Sequence, residues 1–573
     1  MINSGDTAWV LASAALVLFM TPGLAIFYGG MVRAKSALNM MMMSFAAIGI
    51  TTIIWVLYGY SLTFGTSQGG LIGDFGNIGL SGTLDQVVGA EGHQIPTLAF
   101  AMFQLTFAII TVALLSGAIA DRAKYGSWVL FVAAWVTLVY IPVAHWAFAS
   151  QSGSGGWIID KLGALDFAGG TVVEINSGAA ALALAIVLGK RDGFRRDPMR
   201  PHNMPLVLLG AGMLWFGWFG FNAGSALSAG SLAATAMINT QIASAAAAMS
   251  WITFEKFRDG KATTLGVASG AIADRAKYGS WVLFVAAWVT LVYIPVAHWA
   301  FASQSGSGGW IIDKLGALDF AGGTVVEINS GAAALALAIV LGKRDGFRRD
   351  PMRPHNMPLV LLGAGMLWFG WFGFNAGSAL SAGSLAATAM INTQIASAAA
   401  AMSWITFEKF RDGKATTLGV ASGAIAGAVV ITPACGYVNP IGALILGLIA
   451  GVASSYAVSR KYKFGYDDSL DVVGVHGVSG IVGMIGIGLF ATATVNATGK
   501  EGLFINGSPD LLIKQLIAIV AVAAFSFCAT WLIATLITRT IGFRVPREEE
   551  LTGLDTTYHA ESAYDITGNS NRY

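Results

Sequence analysis

Two ionisable side chains stand inside long apolar runs. They are Glu174, in Gly-Gly-Thr-Val-Val-Glu-Ile-Asn-Ser-Gly, and His476, in Asp-Val-Val-Gly-Val-His-Gly-Val-Ser-Gly. A charged side chain at the centre of an apolar span costs about 2.5–3.5 kcal/mol, so such groups are functional candidates by default. A neutral imidazole or carboxyl can relay a proton and hydrogen-bond a small amine. The plainer reading is a satisfied polar contact between helices, but the surrounding Gly and Ser favour close helix approach around a narrow passage. Asp166 and Asp471 open the same two segments, where a carboxylate accepts backbone hydrogen bonds and complements the helix dipole. His145, with its counterpart His298, lies near a helix end and reads as a solvated or core histidine. The run Trp215 to Ser225 is denser in aromatics than an interfacial belt requires, and Phe107 follows Phe103 by one helical turn. Aromatic faces attract cations, by about 0.5–2 kcal/mol. No spacing of Cys and His suggests a metal, and no nucleophile–base pair or phosphate-cradling loop stands out.

The elements that position these groups are spans. The chain has 573 residues, of which 55% are hydrophobic and 11% charged, with a net charge of +2. That is more apolar surface than a soluble domain buries, and lipid is the solvent it implies; nothing indicates a nucleic-acid face. Cys435 and Cys528 both lie in apolar runs and read as small hydrophobes. The first apolar run, Trp9 to Met31, has no basic segment ahead of it and reads as an uncleaved span.

Residues Ser116 to Ala268 recur without a change as Ser269 to Ala421, and Ser-Gly-Ala-Ile-Ala opens both copies and returns at Ser422. Every site residue in the segment therefore has a twin 153 positions on: Asp166 and Asp319, Glu174 and Glu327, Trp218 and Trp371. Deleting either copy leaves the same 420-residue parent, 573 less 153. A span needs ~20 apolar residues, and the parent supplies eleven. Three are Trp9–Met31, Leu38–Phe64 and Pro96–Ala120; four, in the first copy, are Ser127–Ala149, Phe167–Leu188, Pro205–Phe221 and Leu227–Phe254. The last four are Thr417–Pro433, Pro440–Val458, Val472–Thr492 and Leu512–Ile541. The fold expected is an all-α polytopic membrane protein of about fifteen spans, because four duplicated spans leave everything downstream on its original side.

The organisation expected is residues 1–115 (spans 1–3), 116–268 (spans 4–7, first copy), 269–421 (spans 4–7, second copy), 422–542 (spans 8–11) and 543–573 (a polar tail). Basic residues fall in alternate loops: Arg33 and Lys35; Arg122 and Lys124; Lys190 to Arg200; Lys256, Arg258 and Lys261. They are expected on the cytoplasmic side, with the N-terminus outside and the C-terminus inside. At the seam the apolar stretch Leu265 to Ala273 is cut short by Asp274, Arg275 and Lys277 and is expected to be a cytoplasmic connection.

Five signatures in order resemble the ammonium transporter family that includes the Rh proteins. They are Phe-Tyr-Gly-Gly from Phe27, Gly-Ala-Leu-Asp-Phe-Ala-Gly-Gly-Thr-Val-Val from Gly163, and Gly-Trp-Phe-Gly-Phe-Asn-Ala-Gly-Ser from Gly217, then Thr-Pro-Ala-Cys-Gly-Tyr from Thr432 and Asp-Val-Val-Gly-Val-His-Gly from Asp471. The resemblance implies an eleven-span protomer with inverted five-span halves, a homotrimer with one pore per subunit, no enzymatic activity and no cofactor. Its substrates would be ammonium or ammonia and methylammonium.

By the same resemblance an outer recruitment site falls on Phe107, Phe148 and Ser225, with twins Phe301 and Ser378, and with Asp166 or Asp319 as a structural carboxylate nearby. A stacked gate falls on Phe107 with Phe221 or Phe374, flanked by Trp218 or Trp371, and a pore relay on Glu174 or Glu327 with His476. Two positions depart from the family pattern: Phe148 stands where a tryptophan is usual, with Trp146 nearby, and Glu174 where most members carry the first of two pore histidines. The tail from Phe543 is expected to couple subunits, and the inner face to receive a trimeric PII-type signalling protein. Ammonium would be held outside, lose its proton and cross as ammonia while the proton follows the Glu and His. An ammonium sensor, or a duplicated variant with impaired transport, is the alternative. Phe107 and His476 occur once each, so one copy of the four spans is expected to serve, by preference the first, with the other surplus.

Overall fold

A computed structural model describes residues 2–197, 199–259, 272–350, 352–559 and 562–564. Its fifteen long helices are α1 Ser4–Met31, α2 Ala34–Phe64, α3 Thr97–Ile119, α4 Tyr125–Phe148, α5 Gly170–Leu188, α6 Met204–Gly224 and α7 Ser231–Asp259; then α8 Tyr278–Phe301, α9 Gly323–Leu341, α10 Met357–Gly377, α11 Ser384–Asp412, α12 Thr417–Ile431, α13 Pro440–Phe464, α14 Val473–Phe490 and α15 Asp510–Thr540. Fourteen are long and apolar enough to cross a membrane, by length and composition; α12, with 15 residues, is shorter and runs into the buried turns at Thr432 to Gly436. In lipid every backbone N–H and C=O needs an internal partner, which is why apolar runs of this length become helices. Helix starts are written locally. The Asn203 side chain accepts from the Leu206 N–H at 3.1 Å, and its twin Asn356 accepts from Leu359 at 3.1 Å. Among the described residues the strands are a small antiparallel pair, Val87–Val88 with Ile95–Pro96, in the long loop after α2.

The contacts form two compact units, Met1–Leu265 with His559–Tyr573, and Gly266–Tyr558. The first therefore holds α1 to α7 and the second α8 to α15. In the first, α3 is the core: Phe103, Phe107, Ile109, Val112 and Leu115 are all nearly inaccessible. Helix α1 lies along α6, whose glycines admit it; a Cβ at Gly217 would sit 2.2 Å from Met20 Cγ and 2.6 Å from the Leu16 carbonyl oxygen. In the second unit α9 packs against α14 and α15, and α11 against α12 and α13. Each copy of the repeat thus has its own partners, where one serving copy and one surplus copy were expected. The physical reason is chain connectivity: the partners that precede the repeat reach the first copy, and those that follow it reach the second.

Identical helices consequently differ in cover. On α9, Ala336 and Leu341 are buried, at 0% and 4% exposure, whereas their twins on α5, Ala183 and Leu188, are exposed. Conversely, the α10 glycines Gly370 and Gly373 meet nothing within 4 Å, while the α6 twins Gly217 and Gly220 are in tight contact with α1. Most of the seam from Leu265 to Ala273 lies outside the described residues, as do Lys261 and the side chains of Lys256 and Arg258.

The glycine twins make a direct test of packing. Gly217→Val is expected to lower the thermal unfolding temperature in detergent because its methyls meet Met20 and the α1 backbone, and Gly370→Val to leave it within experimental error.

Candidate functional site

The first unit gathers the aromatic candidates. Phe103 and Phe107 lie one turn apart on α3 with ring centroids 4.9 Å apart. Phe107 stacks on Phe221 of α6, at 4.1 Å and an interplanar angle of 16°. Phe148, at the end of α4, meets Phe107 edge-on at 6.4 Å, and Trp218 lies 5.8 Å from Phe221. Phe107 and Phe221 are 1% and 3% exposed. The Ser225 hydroxyl donates to the Phe221 carbonyl at 2.8 Å, which turns its oxygen lone pairs outward from that bond. Five of the predicted residues, Phe107, Phe148, Trp218, Phe221 and Ser225, come together here. Their neighbours have other duties: the Trp146 indole donates to the Leu71 carbonyl at 2.8 Å, and His145 is fully buried between the Thr63 carbonyl and the Ser67 hydroxyl, at 2.7 and 2.8 Å.

The second unit gathers the ionisable candidates. Glu327 and His476 lie in widened π turns, Gly323–Ile328 and Val473–Val478, that open α9 and α14. Glu327 Oε2 and His476 Nδ1 are 2.8 Å apart. The Glu327 side chain is 1% exposed and the imidazole 30%. Glu327 Oε1 is buried with no hydrogen-bond partner among the described residues, an uncommon state for a carboxyl oxygen. Glycine makes the approach possible. A Cβ at Gly331 would fall 2.3 Å from Gly477 Cα, and one at Gly480 would fall 2.8 Å from Glu327 Cβ. Trp371 donates to the Thr432 hydroxyl at 2.8 Å and lies 5.8 Å from Phe374. Phe301 and Phe374 are 42% and 41% exposed, and Ser378 donates to the Phe374 carbonyl at 2.9 Å. In the first unit Glu174 is exposed, and its neighbour Ile175 is 67% exposed.

The capping carboxylates are explicit. Asp319, buried, accepts from the N–H groups of Gly322, Gly323 and Thr324 at 2.7–2.8 Å and from the Thr324 hydroxyl at 2.5 Å. Asp166 accepts from Gly169, Gly170, Thr171 and Val172. At α14 the expected cap is corrected. Asp468, not Asp471, accepts from the Val473 N–H at 2.7 Å, and Asp471 pairs with the Lys461 ammonium. Asp471 has φ +63°, which turns the chain sharply just before the helix and leaves the first N–H facing the earlier carboxylate. Outside the spans, Asp160 accepts from the N–H groups of Gln151, Gly153 and Gly155 and from the Ser150 hydroxyl, and these bonds, the one from Gln151 foremost, hold its carboxyl down at about 2. Its twin Asp313 is held at about 2 by the same bonds, the one from Gln304 foremost.

Sequence reasoning missed Gln515, whose amide both accepts from the Leu318 N–H and donates to the Leu318 carbonyl, each at 2.8 Å, tying α15 to the approach to Asp319. Its signal was a lone amide in an apolar run, the same signal that singled out Glu174 and His476.

A family model described as Ammonium Transporter Family matches residues 8–274 and again 262–564. The ammonium transporter of Mycobacterium bovis is 39% identical over 584 residues, spanning 98% of this chain and 91% of that protein. That of Bacillus subtilis is 36% identical over 566 residues, spanning 98% and 99%. Among solved structures, Mep2 of Candida albicans is 26% identical with a TM-score of 0.41, over 96% of this chain and 88% of that one.

The caps differ in burial and should differ in weight. Asp319→Ala is expected to destabilise the chain by about 1–2 kcal/mol in chemical unfolding, the range for losing a capping side chain. The change at Asp166, which is partly exposed, is expected to cost less.

Proposed function

This chain belongs to the Ammonium Transporter Family, and from that premise we propose that it moves ammonium across a cytoplasmic membrane by separating the ion into ammonia and a proton. The observation that carries the reading is the hydrogen bond between the buried Glu327 carboxyl and His476, set in apolar helices with one carboxyl oxygen unpartnered among the described residues. A charged ion in hydrocarbon costs several kcal/mol, whereas neutral ammonia crosses with little penalty, so a path for ammonia needs a separate carrier for the proton. The carboxyl and imidazole are that carrier. Glu327 and His476 share one hydrogen bond along which a proton can pass, and the free Oε1 is the acceptor through which it can enter or leave.

Recruitment falls to the aromatic group of the first unit. The faces of Phe107 and Phe148 attract the cation and the Ser225 oxygen accepts a hydrogen bond from it, replacing part of its water. The stacked rings of Phe107 and Phe221 exclude a hydrated ion. On this reading Asp166 and Trp218 frame the aromatic group of the first unit, and Asp319 and Trp371 the carboxyl–imidazole pair of the second. The twins Phe301, Phe374 and Glu174 are outside the working set, because each lacks the cover of its counterpart, and Ser378 goes with Phe374, whose carbonyl holds its hydroxyl. Methylammonium is a second substrate. Basic loops alternating along the chain support an external N-terminus and a cytoplasmic C-terminus, and the protein acts as a homotrimer whose inner face receives a PII-type signalling protein.

Twin substitutions test the assignment in reconstituted vesicles. Glu327→Gln is expected to reduce ammonium-driven current by more than about tenfold, a loss of ~1.4 kcal/mol or more, and Glu174→Gln to leave it within about twofold. Phe107→Ala is expected to raise the ammonium concentration needed for half-maximal current. Equal effects of the two glutamate changes would remove the Glu327–His476 relay from the mechanism.

A further inference from the structure

The first unit contains a cavity of about 880 Å³ whose lining includes Arg122, Lys190 and Arg191 beside Tyr28, Ile186 and Phe194. Every lining residue belongs to that unit. Among the described residues the guanidinium of Arg122 has no acidic hydrogen-bond partner: it donates to the Ala118 and Ala120 carbonyls of its own turn. Arg191 pairs with Asp121, at 3.3 Å, a carboxylate that Arg33 shares.

The same amino acids in the second unit are filled. Arg275, twin of Arg122, donates to the Asp467 carbonyl at 2.5 Å and to the Ser469 hydroxyl at 2.8 Å. Arg344, twin of Arg191, holds the Asp467 carboxylate through its backbone N–H, Nε and NH2, at 2.8, 3.0 and 2.9 Å. Arg275 is fully buried by this segment, and its desolvation there brings its pKa down to about 10. What occupies these residues is thus an acidic loop, Tyr-Asp-Asp-Ser-Leu-Asp from Tyr466 to Asp471.

We propose that the cavity around Arg122 and Arg191 is a receptor for an acidic polypeptide segment of the Asp-Asp-Ser type, supplied by another protein. The stoichiometry is unequal: each chain carries two copies of the basic residues and one copy of the loop, so no oligomer of this chain can fill every site with that loop. The charges match: Arg122, Lys190 and Arg191 line the cavity, and the loop brings Asp467, the one of its three carboxylates that meets both guanidinium groups in the second unit, Asp468 and Asp471 being turned to the Val473 N–H and to Lys461. The binding geometry is already written in this molecule, as backbone and carboxylate acceptors for two guanidinium forks. The inference does not depend on the transport reading.

The probe is a synthetic peptide with the sequence of residues 464–473, titrated against the full-length protein in detergent or nanodiscs by fluorescence anisotropy. One peptide is expected to bind per chain, and the peptide with Asn for Asp467 to bind at least about tenfold more weakly, as for removal of one partner of a desolvated charge pair. The 420-residue form without the duplication, whose only site is held by its own loop, is expected not to bind. Arg122→Ala is expected to abolish binding and Arg122→Lys to weaken it. Equal binding of the Asn peptide or of the 420-residue form would overturn the proposal. So would complete displacement by millimolar inorganic phosphate with no dependence on peptide sequence, which would make the cavity a simple anion site.

Discussion

Two identical stretches of chain compete here for one set of partners, and nearly every structural difference between them follows from that constraint. Spans of this composition gain little from burial against lipid, so their stability rests on close packing and on the hydrogen bonds that packing permits. A helix with a glycine face is therefore incomplete without the helix that fills it. Helix α6 is completed by α1 and helix α9 by α14 and α15, while their twins keep the same faces uncovered. Connectivity breaks the tie, since the earlier partners lie closer along the chain to the first copy and the later ones to the second.

The chemistry is divided along the same line. Stacked Phe107 and Phe221 require α6 on α1, and that happens in the first unit. The Glu327–His476 bond requires α9 on α14, and that happens in the second. Glu174 has the sequence of Glu327 and not its imidazole, so a carboxyl that is buried and hydrogen-bonded in one setting is an exposed side chain in the other. Function in such a chain belongs to contacts, not to motifs. The duplicated motif is an internal control: sequence is held constant while environment varies.

What could be read from the residues alone was whatever depends on near neighbours. The apolar runs located the fifteen helices, with ends misplaced by a few residues; α11 begins at Ser384 because Leu380 turns the chain at φ +53°. Caps at Asp166 and Asp319 were legible, and the Asp160 and Asp313 loops form the same bonds in both copies, since every partner lies within ten residues. Asp471 was misread because one turn of the chain exchanged its role with that of Asp468. The stacked phenylalanines and the carboxyl–imidazole pair were recognisable as candidates, but the copy that supplies each was not. That choice is made by packing between residues as far apart as Glu327 and His476, which identical sequences leave undetermined. Gln515 escaped notice for the same reason, because its partners are the backbone atoms of a residue 197 positions away.

The division of partners between the copies is tested most directly by disulfide mapping in a chain with Cys528 replaced by serine. Gln515 is bonded to the backbone of Leu318, which is 8% exposed, whereas the twin Leu165 is 93% exposed. Cysteines at 318 and 515 are expected to cross-link within one chain under mild oxidation, and cysteines at 165 and 515 to stay reduced. Cross-linking of the second pair in preference to the first would contradict the assignment of the second copy to α14 and α15, and with it the Glu327–His476 relay.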